Sequence, residues 1–300
     1  MIPQTEKAIA LTLFAFAAFA LSDGLRKLMS LDYPIIDILF WQGALGLVLL
    51  CLAIPFIGGM NAVLDRKNIK WQIIRGGLIA LNTTFSLTAI SQVPIMDAYT
   101  IFFLTPFVTC LMGVVFFKET IGAFRMLSIG FGFIGALVAF RPGFEAVNPA
   151  YLYALTCVFT FSFSNMVARH MGATKSLAAY AFWPFIVLIM GIIIYRGGDI
   201  PPMHDAQFLL YAVLIGFAYG AASLTIAYAF TLAPAAVIAP YQYIQIIFAL
   251  GFGYFFFGHI PDSMKMLGAS IIIASGLVMF ARERMQKRRT EKNKRAVLEE

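Results

Sequence analysis

Charge is scarce in this sequence. Only 12% of its 300 residues are Asp, Glu, Lys or Arg, against about a quarter in soluble domains, while 61% are hydrophobic and the mean hydropathy is +0.84. A soluble fold of this length has nowhere to hide so much apolar surface; a bilayer accepts it. Cysteine and histidine are scarce too. Cys51, Cys110 and Cys157 each sit in an apolar stretch without CxxC spacing, and His170, His204 and His259 are scattered. That argues against a disulfide framework and a soft-metal site, and leaves a membrane-embedded enzyme without its cluster of His, Asp and Glu or its nucleophile and base. The chain has no GxxxxGK[ST] loop for ATP, and no ring of like charge or filter motif of the kind that marks a passive channel. No cofactor is expected.

The formal net charge of +7 is concentrated at the end of the chain. From Arg282 to Glu300 there are eight Lys/Arg and four Glu, a balance of +4. Because this tail follows an apolar segment directly, it predicts a cytoplasmic extension that meets anionic membrane lipid, with no nucleic-acid partner.

What the sequence does have is long apolar runs, broken by short polar or Gly/Pro turns. They predict ten transmembrane spans: Ala8–Met29, Ile35–Phe56, Trp71–Ser91, Ile95–Phe117, Ile121–Phe140, Ala150–Arg169, Leu177–Tyr195, Phe208–Phe230, Ala235–Phe257 and Met264–Ala281. Arg66, Lys67, Lys70, Lys118, Arg125, Arg169 and Lys175 fall in loops on one side with the basic tail. Arg26, Lys27, Arg141, Arg196 and Lys265 fall on the other. This bias predicts a multi-pass protein of the bacterial inner membrane with both termini in the cytoplasm. Lys7, the apolar run after it and Ala18-Phe19-Ala20 imitate a cleavable signal peptide. The run is read as a retained first span, since it has a counterpart within the chain.

That counterpart belongs to an internal repeat. At a shift of about 140 residues, Leu137, Val138 and Phe140 recur as Leu277, Val278 and Phe280, Phe116-Phe117 as Phe256-Phe257, Met126-Leu127 as Met266-Leu267, and Ala89 and Pro94 as Ala229 and Pro234. Earlier in each half the shift is 142: Phe40-Trp41 recurs as Phe182-Trp183, Ser22-Asp23 as Ser164-Asn165, and Lys27 and Met29 as Arg169 and Met171. Each unit holds five spans, an odd number, so the second enters the membrane from the opposite side. The expected fold class is all-α integral membrane, ten transmembrane helices as two inverted five-helix repeats, a design that supports alternating access around a midplane site. The expected divisions are 1–143, 144–284 and a basic tail at 285–300.

Two stretches carry a resemblance. Ile90–Gly143 reads as a short Pro turn, Ala98 and the Pro106 region, Phe117-Lys118-Glu119, and a Gly-rich fifth span ending in Arg141-Pro142-Gly143. The second half offers Leu232-Ala233-Pro234-Ala235, Pro240-Tyr241 and Phe257-Gly258-His259-Ile260-Pro261-Asp262. Together they resemble the two halves of an EamA-type member of the drug/metabolite transporter superfamily, over nearly the whole chain to about Arg284. The resemblance implies export or import of a small metabolite: an amino acid, riboflavin, S-adenosylmethionine or a metallophore. The chain departs from many members in two places, with Gln42 in place of an Arg near the start of the second span and His259 in place of a Glu.

Polar groups within the spans are the candidate substrate-binding residues, because they are expensive there. Asp23, partnered in the repeat by Asn165, is a candidate amine or proton site, or else the partner of Arg26 or Lys27 at helical spacing. Asp97, with Thr100 on its face, lies early in the fourth span, where the helix dipole also favours a carboxylate; Asp37 stands likewise in the second. Tyr241, Gln242 and Gln245 share an arc of the ninth span, and Asn82, Thr83 and Ser86 one of the third. Each set either lines a polar cavity or bonds a neighbouring helix. Trp41 and Trp183 either anchor at the interface or stack on a flat substrate, and Tyr219, Tyr228 and Tyr243 extend that aromatic set. Gln42 completes the candidates. Glu119 reads as structural. Pro106 and Pro240 interrupt repeat-related helices. Gly130, Gly132, Gly135, Gly268 and Gly276 make the fifth and tenth spans packing elements or a dimer contact.

The expected function is secondary active transport of a small polar or amphipathic organic metabolite, amino-acid-like, S-adenosylmethionine-like or riboflavin-like. Helices one, three, four, six, eight and nine line the cavity, Asp23 is the first-choice proton site, and the protein is a monomer or homodimer. A passive channel and a membrane-embedded enzyme are the rival readings.

Overall fold

The computed structural model describes residues 4–56, 63, 68–118, 122–140, 148–172, 179–258, 262–264, 266–271, 273–275, 278, 282 and 285. Arg66, Lys67, Glu119, Arg141-Pro142-Gly143, Lys175, His259, Lys265, Gly276 and the tail from 286 lie outside the described residues, as do the side chains of Thr100, Arg125, Pro240 and Tyr243.

The described residues form helices and turns, with no strand among them. The helices are α1 (Gln4–Met29), α2 (Ile35–Ala53, continued by a 3₁₀ turn at Ile54–Phe56), α3 (Ile69–Gln92), α4 in two pieces (Ile95–Phe102 and Thr105–Phe117) and α5 (Ala123–Phe140). After them come α6 (Ala150–Met171), α7 (Ala179–Tyr195), α8 (Ala206–Leu232), α9 in three pieces (Ala235–Ile238, a 3₁₀ segment Ala239–Ile244, and Gln245–Phe257) and α10 (Met266–Ser275). α1, α2, α3, α6 and α8 are each long and apolar enough to cross a membrane unaided. α7, at 17 residues, reaches roughly 26 Å, close to the hydrocarbon thickness.

Proline sets several starts. Pro34, Pro94 and Pro149 stand at the N-cap positions of α2, α4 and α6, where the missing N–H costs little. α8 starts instead on Asp205, whose carboxylate accepts the Phe208 N–H at 2.7 Å. α4 and α9 both end on a left-handed residue, Lys118 (φ 52°) and Gly258 (φ 62°), again 140 positions apart.

The repeat is a symmetry of contacts as well as of sequence. The two largest interfaces, α1 with α8 and α3 with α6, are exchanged when each helix is replaced by its partner in the other unit. Lys27 of α1 stands over the Phe257 ring of α9 at 5.8 Å, and Arg169 of α6 over the Phe117 ring of α4 at 4.8 Å. These are the same two residue pairs that match in the sequence. The Trp41 indole N–H donates to the Pro201 and Pro202 carbonyls at 3.1 and 3.0 Å, beyond the end of α7. The Trp183 indole donates to the Val63 carbonyl at 3.3 Å, beyond the end of α2. Since α2 and α7 run in opposite directions, the two indoles secure opposite faces.

α2 and α8 cross backbone to backbone at Gly46 and Gly216. A Cβ on Gly216 would stand 2.6 Å from the Gln42 carbonyl oxygen, so only glycine permits this approach. Among the described residues most of the apolar core lies in two clusters. One is built around Leu25, Ile38, Tyr99 and Phe208, the other around Phe16, Ile79, Phe185 and Ile226. A cavity lies where they meet.

Candidate functional site

The cavity opens at a mouth and is walled by side chains of several helices. Helical periodicity brings its walls together. α1 contributes Phe16, Phe19, Asp23 and Arg26 from one stripe, α3 contributes Asn82 and Ser86, α6 contributes Cys157 and Phe161, and α8 contributes Tyr219. The interruption of α4 supplies Phe102, Phe103, Thr105 and Pro106, and that of α9 supplies Gln242 and Gln245. Thr105 and Gln245, 140 positions apart, each begin the helical piece after the break. The prolines do not occupy matching positions; the breaks do. The six helices on the wall are one, three, four, six, eight and nine.

Asp23 and Arg26 dominate the chemistry. Arg26 Nη1 meets Asp23 Oδ1 at 2.9 Å, so the i,i+3 pairing open to α1 is made. The Tyr99 hydroxyl donates to Asp23 Oδ2 at 2.9 Å, and Arg26 Nε donates to Gln42 Oε1 at 2.9 Å. The guanidinium lies 4.4 Å from the centre of the Tyr219 ring, and the Tyr219 hydroxyl is bonded to Thr83 Oγ1. Arg26 is 1% exposed and Asp23 7%. Two opposite charges taken together into a low-dielectric interior are tolerated because each is paired and further hydrogen-bonded. Where Arg is expected near the start of the second span, the chain places Gln42, and a guanidinium from α1 reaches that side chain instead.

Of the other candidates, Asn82, Ser86, Tyr219, Gln242 and Gln245 reach the wall. Asn82 also donates to the Cys157 carbonyl at 3.0 Å, and Cys157 Sγ returns a bond to the Asn82 carbonyl at 3.4 Å, tying α3 to α6. Gln242 is 3% exposed, and neither its Oε1 nor its Nε2 has a hydrogen-bond partner among the described residues.

Trp41, Gln42, Asp97, Asn165, Trp183 and Tyr241 are absent from the wall. Trp41 and Trp183 are held by the loop carbonyls described above, so neither presents its ring to the cavity. Gln42 stands behind Arg26. Asn165 is fully buried and donates to the Phe161 carbonyl at 3.0 Å within α6. Tyr241 is buried. Asp97 occupies the first turn of α4, the placement that the helix dipole favours, and Asp37 is bonded to His204 at 2.9 Å. Thr100 lies in the first piece of α4.

Sequence reasoning missed three features. Arg26 was weighed only as a counter-ion, yet it forms part of the wall. Five phenylalanines on the wall received no role, although Phe16 and Phe19 precede Asp23 by seven and four residues, on its helical face. Arg75 was overlooked altogether. It is fully buried in α3 and donates to the Tyr180 and Ser223 carbonyls.

The EamA-like transporter family profile matches residues 6–141 and 148–281. A riboflavin transporter of Rhizobium johnstonii is 24% identical over 266 residues, covering 87% of this chain and 86% of its own. An S-adenosylmethionine uptake transporter of Rickettsia conorii is 22% identical over 281 residues, covering 93% and 94%. A pseudopaline exporter of Pseudomonas aeruginosa is 24% identical over 278 residues, covering 91% and 96%. A crystal structure 16% identical in sequence superposes with a TM-score of 0.68 over 94% of this chain and 97% of that one, which establishes a common fold. With both five-helix units matched, the chain is a multi-pass membrane protein that belongs to the EamA-like transporter family.

Proposed function

We propose that the protein is a secondary active transporter. It moves a small polar or amphipathic organic metabolite across the bacterial inner membrane by alternating access, with both termini in the cytoplasm. One observation carries this reading: α4 and α9, partners in the inverted repeat, both break at the level of the cavity, and the broken segments form part of its wall. Paired discontinuous helices at a repeat interface are how secondary transporters build a midplane site. Exchange of the two units' conformations then opens the cavity to one side and next to the other.

The relatives support a small organic cargo, and the chemistry of riboflavin, S-adenosylmethionine and pseudopaline differs too much for their names to choose one. In this reading Arg26, Asn82, Ser86, Tyr219, Gln242 and Gln245 contact the substrate. Asp23 is the proton site, since protonating it would release Arg26 from its ion pair and couple pH to the cavity. The test is uptake and counterflow in proteoliposomes, with labelled amino acids, S-adenosylmethionine and riboflavin, each with and without a pH gradient. Saturable uptake with trans-stimulation supports a carrier. Flux that rises linearly with concentration and shows no counterflow overturns it.

A further inference from the structure

The cavity has three properties that together define the molecule it would hold. Its ionisable charges pair: Asp23 and Arg26 are 2.9 Å apart, and among the described residues no other Asp, Glu, Lys or Arg is on the wall. A ligand with net charge would therefore enter a low-dielectric space with no counter-charge to meet it. The walls are aromatic, with five phenylalanines and Tyr219, among them Phe19 at 5.9 Å from Phe161 and 5.4 Å from Tyr219. Such rings suit the faces and edges of a flat conjugated body. Finally, three buried polar atoms on wall residues have no hydrogen-bond partner among the described residues: Gln242 Oε1, Gln242 Nε2 and Arg26 Nη2. Unpaired buried polar atoms are costly. A primary amide presents an acceptor and a donor side by side, and its complement is an edge with a donor beside an acceptor.

We infer that the cavity selects a net-uncharged, flat heteroaromatic compound. One edge of it carries an adjacent donor and acceptor, as in a ring imide or an aminopyrimidine, and is read by Gln242; an acceptor elsewhere on it meets Arg26. The inference takes the cavity as the transport site, as proposed above, and narrows the cargo. Asn82 and Ser86 of α3 add contacts on the wall.

The test is equilibrium binding to the purified full-length protein in lipid nanodiscs, using two probe pairs. These are lumiflavin with 3-methyllumiflavin, and adenine with N6,N6-dimethyladenine; in each pair the second member has lost the donor of the reading edge. At least one parent compound binds saturably, and its methylated partner binds roughly ten- to a hundredfold more weakly, the loss expected for one unpaired buried hydrogen-bonding group. In Gln242→Leu, whose fold is checked by melting temperature and gel filtration, the difference within the pair disappears. Should that variant not fold, the wild-type comparison decides alone. Equal affinity within both pairs, no binding of either parent, or displacement of the parent by cationic S-adenosylmethionine at lower concentration would each overturn the inference. Counterflow of a charged solute would also sink it while leaving the carrier reading intact, and so separates the two.

Discussion

Arg75 donates to the backbone carbonyl of Tyr180, and the reason lies four residues further along α7. Pro184 is inside that helix and has no N–H, so the Tyr180 carbonyl lacks its i+4 donor. The guanidinium from α3 takes the donor's place, and it lies 5.3 Å from the centre of the Tyr180 ring. Arg75 is thus a replacement for a missing helix bond. Lys27 acts in the same way at the end of α3, donating to the Ile90 carbonyl, which Pro94 cannot serve.

The Arg75 relationship predicts a coupled pair. Arg75→Met leaves a buried carbonyl unpaired and destabilises by about 1–3 kcal/mol. In a Pro184→Ala background the alanine N–H supplies the bond, so the same substitution costs less. Thermal unfolding of the four proteins of this cycle measures the coupling. Strictly additive losses would refute the replacement role.

For the ion pair, Arg26→Leu strands the Asp23 carboxylate in the interior at a cost of about 3–5 kcal/mol, whereas removing both charges in Asp23→Leu/Arg26→Leu costs less than the single change. Melting temperatures in lipid nanodiscs rank them. A double variant as unstable as the sum of its parts contradicts the pairing.

Trp41→Phe and Trp183→Phe each delete one indole hydrogen bond while keeping a ring, and each lowers stability by about 1 kcal/mol. Because neither indole faces the cavity, ligand affinity is unchanged in both. Loss of affinity in either variant would put that tryptophan back among the substrate contacts.

Asp205 makes stability depend on pH. The bond from the Phe208 N–H, helped by the Tyr33 hydroxyl at 2.8 Å, holds its carboxyl below the ordinary carboxylate value. These bonds favour the ionised form, so their stabilisation is complete above the unfolded-state value of about 4 and disappears as pH falls through the lower folded-state one. Asp205→Ala therefore melts below the wild type at neutral pH, and the gap closes in acid. A gap that stays constant from neutral to strongly acid pH would rule out this cap.

The spans, the repeat and the family were all legible in the residues. A membrane span is written in local composition, since each helix satisfies its own backbone bonds and needs only about twenty apolar positions to face lipid. The repeat survives as matched pairs such as Lys27 with Arg169 and Phe117 with Phe257. Among the residues on the cavity wall, Asp23, Asn82, Ser86, Gln242 and Gln245 stand out in the sequence because polar groups are rare in these helices. The roles of Trp41 and Trp183 do not, because an indole six residues into a span looks the same whether it meets a ligand or a loop carbonyl more than a hundred residues away.

The sequence by itself determined that this chain lives in a membrane and crosses it as two inverted units, because apolar length, odd span number and repeat spacing are properties of the chain alone. Only the tertiary structure decided which polar groups find a partner within the protein. Hydrogen bonds are consumed pairwise, and whether the Trp183 indole finds a carbonyl, or the Gln242 amide finds no partner among the described residues, is set by how the helices pack.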